Sequence, residues 1–237
     1  MSDRPPAIAQ QRFAARRAEF MELDLAQRFG RIHETNLWGA DTSVSGVGSE
    51  LDATAAIRER LPGLLKELGV RALLDAPCGD HRWMASLDLD LDLDRYVGMD
   101  IVPSIIEPLQ RCYRGDARRT FLLGDLTRDA LPRCDLILSR DCLVHFSFAT
   151  LERALRNLKA SGATWLLTTT FPELERNDDI EDADWRPLNF EAPPFRWPAP
   201  LEIINERCTE AGGAYADKSL AAWRLDDLPI LTKKETT

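Results

Sequence analysis

Three aspartates end three apolar runs at a constant interval. Ala72-Leu73-Leu74 meets Asp75, Tyr96-Val97-Gly98-Met99 meets Asp100, and Phe121-Leu122-Leu123-Gly124 meets Asp125. A short apolar run bounded by turn residues reads as a buried strand. Side by side, three such strands would place their carboxylates on one edge of a sheet and form an acidic crevice. The residues after the first run, Asp75 to Trp83, include the turn residues Pro77 and Gly79, and a helix is expected to start near Asp80–Arg82. In an open α/β sheet this first strand-to-helix crossing is where nucleotide-like ligands sit. Gly79 lets the backbone come close to such a ligand, and a helix start offers free N–H groups.

The surrounding elements follow from the pattern. Residues 7–30 read as one amphipathic helix ending at Gly30, with Phe13, Phe20, Leu23, Leu25 and Phe29 among charges. The Ser/Gly stretch 43–49 reads as a hydrogen-bonding loop, and Ser49 with Asp52 as a capping-box start to a helix over 50–68. Pro103 to Arg114 and 148–160 read as helices, Cys134 to Asp141 as a fourth strand and Thr164 to Phe171 as a fifth. Near the end, 201–207 and 218–225 flank Gly212-Gly213 and read as a glycine-turn hairpin. Alternating strands and helices imply an α/β fold with a doubly wound, mostly parallel, seven-stranded sheet. A C-terminal antiparallel hairpin and a helical N-terminal extension complete it.

The three acidic strand ends, with the small pair Cys78-Gly79 at the tightest point of the first loop, resemble the class I S-adenosylmethionine (SAM)-dependent methyltransferases, Rossmann-like enzymes of the small-molecule type. The resemblance covers about residues 70–225 and departs from the family in one respect: the first loop has Gly79 alone, with Pro77 and His81 where further glycines usually stand. It implies SAM as cofactor, its amino-acid part held by the loop Asp75, Ala76, Cys78, Gly79, Asp80 and Trp83. It places the ribose at Asp100 with Ile101, and the adenine amine at Asp125 with Leu126. Arg140 joins this set. Trp38-Gly39 followed by the Ser/Gly loop is similar to some members of the family, which puts Trp38, Ser45, Gly46 and Ser49 over the cofactor. An ordinary connection around a buried tryptophan fits the same residues. The implied division is 1–69 as a helical extension or lid and 70–237 as the methyltransferase domain.

Methyl transfer is an in-line displacement, so alignment of acceptor and methyl group is the main task, and an oxygen or nitrogen acceptor must also lose a proton. In such folds the end of the fourth strand faces the methyl group. Asp141 and His145 stand there, four residues apart, and imidazole titrates near neutrality. They are the candidate catalytic pair, with Asp141 orienting His145, contacting substrate or pairing with Arg140. Residues 172–200 form a long Pro-rich stretch carrying Trp185, Phe190, Phe195 and Trp197. Long loops in compact domains are functional or disordered, and this aromatic density argues against disorder. It is read as the acceptor pocket, with Asn177, Asp179, Trp185, Arg186 and Asn189 as polar contacts. A strap that only covers the sheet is the plainer reading.

The 237 residues carry a formal charge of −9 and 44% hydrophobic residues. An acidic chain without a basic stripe argues against a nucleic-acid partner. No apolar run approaches the roughly 20 residues needed to span a bilayer, and the N-terminus lacks a signal-peptide core. Five scattered cysteines without metal-ligand spacing suggest reduced thiols in the cytoplasm and no metal site. The Leu/Asp repeat Leu87 to Asp94 lacks the Gly and Glu of a calcium loop and reads as a solvated connection. The partner expected is a small-molecule acceptor. A nicotinamide-dependent oxidoreductase would need Gly-x-Gly-x-x-Gly after the first strand, which this loop does not supply. A non-catalytic SAM-binding module fits the same residues.

Overall fold

A computed structural model describes residues 4–87 and 93–230. The core of the Leu/Asp repeat and the last seven residues lie outside them. Seven strands form one sheet: β1 (Ala72–Asp75), β2 (Arg95–Asp100), β3 (Arg119–Leu123), β4 (Leu136–Ser139), β5 (Trp165–Thr170), β6 (Glu202–Asn205) and β7 (Ser219–Arg224). Their order is β3-β2-β1-β4-β5-β7-β6, parallel through β5, with β7 antiparallel to both neighbours. Buried on both faces, the central strands are almost wholly apolar. Leu74, Leu136, Ile137, Leu138, Leu166 and Leu167 are fully buried. Register fixes the acids. Asp75 pairs with Gly98, so Asp100 projects two residues beyond it; Asp100 pairs with Leu123, so Asp125 projects two beyond that. All three tips share the C-terminal edge of the parallel strands.

The helices are α1 (Ile8–Arg16), α2 (Leu25–Glu34), α3 (Ala55–Glu67), α4 (Pro103–Cys112) and α5 (Phe148–Ala160). The expected single helix over 7–30 is therefore two. Phe13 and Phe20 stack at 4.9 Å, whereas residues seven apart on one helix rise about 10 Å along it. The chain must break between them for these rings to meet. Asp24 then starts α2 with a capping box, its carboxylate taking the Gln27 N–H while Gln27 takes the Asp24 N–H. Gly30 lies inside α2 rather than ending it.

Three further expectations are corrected. Ser49 does not cap α3; its hydroxyl donates to the Ser45 carbonyl, and the helix begins only at Ala55. Among the described residues no α-helix follows β1: Gly79 (φ +52°) and His81 (φ +58°) both turn left-handed, and the short helical turn Met84–Ser86 comes after them. No tight glycine turn joins β6 to β7; a 206–218 connection with one irregular helical turn at Glu210–Gly213 does so. α3 packs on one face of the sheet, where Ile57, Leu61, Leu64 and Leu65 meet Leu73, Leu136 and Ile204. The N-terminus is tied to the far end of the chain: Arg4 makes a two-pronged ion pair with Asp217, and the Tyr215 hydroxyl donates to the Pro5 carbonyl.

Candidate functional site

A cavity of about 1000 Å³ opens at the carboxyl ends of β1, β2, β3 and β4. The loop after β1 is drawn across it. The Cys78 N–H donates to the Met99 carbonyl, and the Gly79 N–H donates to Asp100 Oδ2 at 3.1 Å. The Ser/Gly loop closes on the same turn, its Ser45 hydroxyl taking the Asp80 N–H at 2.8 Å and its Ser43 hydroxyl donating to the Asp80 carboxylate. A Cβ on Gly79 would fall 2.3 Å from Ser45 Oγ. Glycine is thus required by the approach of the two loops as well as by its backbone angle. Trp38, Ser45, Ser49, Asp75, Ala76, Cys78, Gly79, Asp80, Trp83, Asp100, Ile101, Asp125, Leu126 and Arg140 all line this cavity. Gly46 does not; it packs beneath the Trp38 ring on the other side.

The acids are desolvated to different degrees of consequence. Burial pushes the Asp75 pKa up to about 7, against a 2.6 Å hydrogen bond donated by Tyr96, which itself contacts His81. Burial pushes Asp100 up to about 6, although the amides of Val102 and Gly79 donate to it. Asp125 accepts both the N–H and the hydroxyl of Thr127 and pairs with Arg128. Leu25, Phe29 and His33 of α2 form the outer wall, and Phe29 packs edge-on to His145 and Phe146.

Beyond β4 lies a buried four-membered ionic network that sequence reasoning found only in part. Arg140 grips Glu206 through two hydrogen bonds and donates to the Gly48 carbonyl. Lys218 Nζ lies 2.6 Å from Asp141 and 3.3 Å from Glu206. Burial alone would raise the Asp141 pKa, but Lys218 and Arg140 hold the carboxyl well below the usual range. Asp141 is left-handed (φ +51°), and its N–H donates to the Thr169 hydroxyl at 2.8 Å. Glu206 and Lys218 extend the β6–β7 ladder, the Glu206 N–H donating to the Lys218 carbonyl. Their one sequence signal is a lysine heading an otherwise apolar strand.

His145 is buried and stacked on Trp38 at 4.8 Å. Burial pushes its pKa down to about 4. Nδ1 sits 2.7 Å from the Asp184 carbonyl; a carbonyl only accepts, so Nδ1 carries the proton and Nε2 keeps its lone pair. A second cavity, of about 650 Å³, adjoins the first, and Trp38, Ser45, Asp141 and His145 line both.

The 172–200 stretch both covers the sheet and reaches a cavity wall. Trp185 lines the second cavity, but Asn177, Asp179, Arg186 and Asn189 line neither. Their polar atoms hold backbone instead. Asn177 donates to the Asn189 and Pro193 carbonyls and Asn189 to those of Pro172 and Leu174. Asp179 takes the Phe148 N–H at the start of α5, and Arg186 donates to the carbonyls of Leu143, Val144, Phe146 and Asp178. A loop this long buries backbone groups that need partners, and these side chains supply them. The expected polar acceptor contacts are corrected accordingly.

No protein-family model matches the sequence, and no curated protein is similar to it. Solved structures are. The 1,6-didemethyltoxoflavin-N1-methyltransferase of Burkholderia thailandensis aligns over 94% of this chain and 92% of its own, at 20% identity and a TM-score of 0.57. The N-methyltransferase NodS of Bradyrhizobium japonicum aligns over 85% and 98%, at 16% identity and 0.54. The magnesium protoporphyrin IX methyltransferase of Synechocystis aligns over 86% and 99%, at 15% identity and 0.50. The fold is the class I methyltransferase fold. Its strand order brings the acidic tips together at one edge of the sheet. SAM presents an ammonium, two ribose hydroxyls and an adenine amine, and the wall of this methyltransferase fold offers desolvated carboxylates to receive them.

Proposed function

We propose that this chain is a SAM-dependent methyltransferase that moves a methyl group to an oxygen or nitrogen of a small polar molecule. One observation carries the reading: a carboxylate-walled cavity and an aromatic one meet at Trp38, Ser45, Asp141 and His145. Cofactor and acceptor would then lie on opposite sides of that junction. The loop from Asp75 to Asp80 would hold the amino-acid part of SAM, Asp100 its ribose hydroxyls and Asp125 its adenine amine. Bound there, the sulfonium supplies an electrophilic methyl group.

His145 Nε2, unprotonated across the neutral range, takes the proton that the acceptor atom gives up. A positioned base of this kind contributes roughly 10²–10⁴-fold. Asp141, held ionised by Lys218 and Arg140, hydrogen-bonds the acceptor and fixes its approach. α2 covers the first cavity and the N-terminal segment 4–9 the second, as a lid latched by Arg4 and Tyr215. The five free thiols suit a reducing cytoplasm.

Thermal shift tests the assignment. S-adenosylhomocysteine at a hundred times its Kd should raise Tm by about 5 °C or more, and NADH should not. A labelled-methyl transfer screen against small hydroxy and amino compounds then separates an enzyme from a silent pocket. Stabilisation by NADH alone overturns the proposal.

A further inference from the structure

The second cavity limits what the acceptor can be. Four aromatic side chains wall it. Trp38 and Trp185 are only half-buried there, while Phe171 and Tyr215 are buried behind them. Trp185 stands perpendicular to Tyr215 (5.1 Å, 87°) and to Phe171 (5.9 Å, 89°), so these rings form a corner rather than a filled stack. Trp38 is stabilised from one side by His145. An aliphatic guest would gain from area alone. A flat ring gains in addition from each offset or edge-to-face contact with the wall rings.

The polar groups of the cavity are equally selective. The Tyr215 hydroxyl is committed to Pro5, Ser45 receives the Asp80 N–H, and Lys218 is committed to Asp141 and Glu206. The side-chain acceptors that face a guest are the Asp141 carboxylate, His145 Nε2 and Glu210, beside the Ser45 hydroxyl, which accepts from Asp80 and keeps its own O–H to donate. The buried network of Arg140 and Lys218 against Asp141 and Glu206 balances its own charge, so no spare cation awaits an anionic guest. Counted with its open mouth, the cavity of about 650 Å³ falls in the range of small-molecule sites.

We propose that the acceptor is a flat, uncharged aromatic molecule whose ring edge carries an O–H or N–H donor. The donor lies against Asp141 and His145, and the ring lies in the corner made by Trp185, Tyr215 and Phe171. This rests on the methyltransferase reading and names the substrate class of its second cavity.

Calorimetric titration of the full chain, saturated with S-adenosylhomocysteine, tests it with four probes. 2-Naphthol should bind at least tenfold tighter than the ring-saturated decahydro-2-naphthol, than 2-methoxynaphthalene, which has no donor, and than the anion 2-naphthoate. In Trp185→Leu the preference over decahydro-2-naphthol should fall below threefold with S-adenosylhomocysteine affinity unchanged; Tyr215→Leu, which also unties the Pro5 contact, should independently lower the same preference below threefold. Equal or tighter binding of the saturated alcohol or of 2-naphthoate overturns the proposal. So does failure of 2-naphthol to bind at millimolar concentration, or survival of the preference in both variants. S-adenosylhomocysteine is titrated separately; its failure to bind, with the 2-naphthol preference intact, overturns the methyltransferase reading alone.

Discussion

Lys218 Nζ lies 2.6 Å from Asp141 Oδ2 across 77 residues of chain, joining the head of β7 to the turn after β4. The contact holds a carboxylate ionised at the junction of two cavities, where an acceptor would have to be aligned. Around it, Arg140 and Glu206 complete a network in which each charge is paired. Removing one partner leaves the others uncompensated in a low-dielectric setting, which is far costlier than losing a surface pair.

Lys218→Met should therefore lower unfolding stability by about 3 kcal/mol at neutral pH, read from urea denaturation. The folded Asp141 pKa is depressed, so its pairing contributes stability above the unfolded carboxylate range and loses it as pH falls. The variant, left with Arg140 alone beside Asp141, should show a smaller acid limb. A wild-type-like curve in acid would show that Asp141 does not depend on Lys218.

Gly48→Ala targets the same network from the opposite wall. A Cβ there would lie 2.8 Å from Asp141 Oδ2 and 3.2 Å from Lys218 Nζ. The expected cost is about 1–3 kcal/mol, and methyl transfer should fall with it. Unchanged denaturation and unchanged turnover would contradict the geometry.

Ligand affinity should depend on pH in a defined direction. Burial keeps protons on Asp75 and Asp100, with pKa values of about 7 and about 6, that the unfolded chain has already released. The folded state binds more protons across roughly pH 4 to 7, so these two groups make stability fall as pH rises through that window. Donors on a ligand need the ionised acids, so S-adenosylhomocysteine should bind tighter as pH rises from about 5.5 to about 8. Asp100→Asn should weaken binding and flatten the slope. Calorimetry that shows affinity independent of pH would refute the assignment.

His145→Asn should reduce kcat by about 10²-fold or more with little change in S-adenosylhomocysteine affinity. Because burial holds the imidazole near pKa 4, wild-type turnover should show no acid limb at the ordinary histidine pKa. A limb near neutrality that disappears in the variant would assign His145 a protonated role instead.

Arg4→Ala should loosen the N-terminal segment 4–9 over the second cavity. The pair with Asp217 is partly buried, at 16% and 4% side-chain exposure. Its loss should speed chymotrypsin cleavage near Phe13 and raise KM for the acceptor more than it changes kcat. Cleavage at the wild-type rate would remove the latch from the mechanism.

The acidic edge of the sheet was legible in the sequence because it is built by local rules. Apolar strands ended by Asp75, Asp100 and Asp125 read directly from composition and period, and a parallel sheet must bring such ends to one edge. His145 and Asp141 were legible for the same reason, as residues at the end of β4. The second cavity was not. Lys218 and Glu206 reach Asp141 and Arg140 only because β7 inserts between β5 and β6, and no local pattern announces that pairing. Asn177, Asp179, Arg186 and Asn189 have the look of binding residues, yet each is consumed by the backbone of the strap or by the residues it covers, since a long buried loop must find partners for its own amides and carbonyls. The helix breaks at Phe13–Phe20 and after Gly79 were likewise decided by ring stacking and by the approach of Ser45. Sequence determined which groups stand at the sheet edge; only folding decided which remain free to meet a ligand, because hydrogen-bonding capacity is apportioned among contacts far apart in the chain.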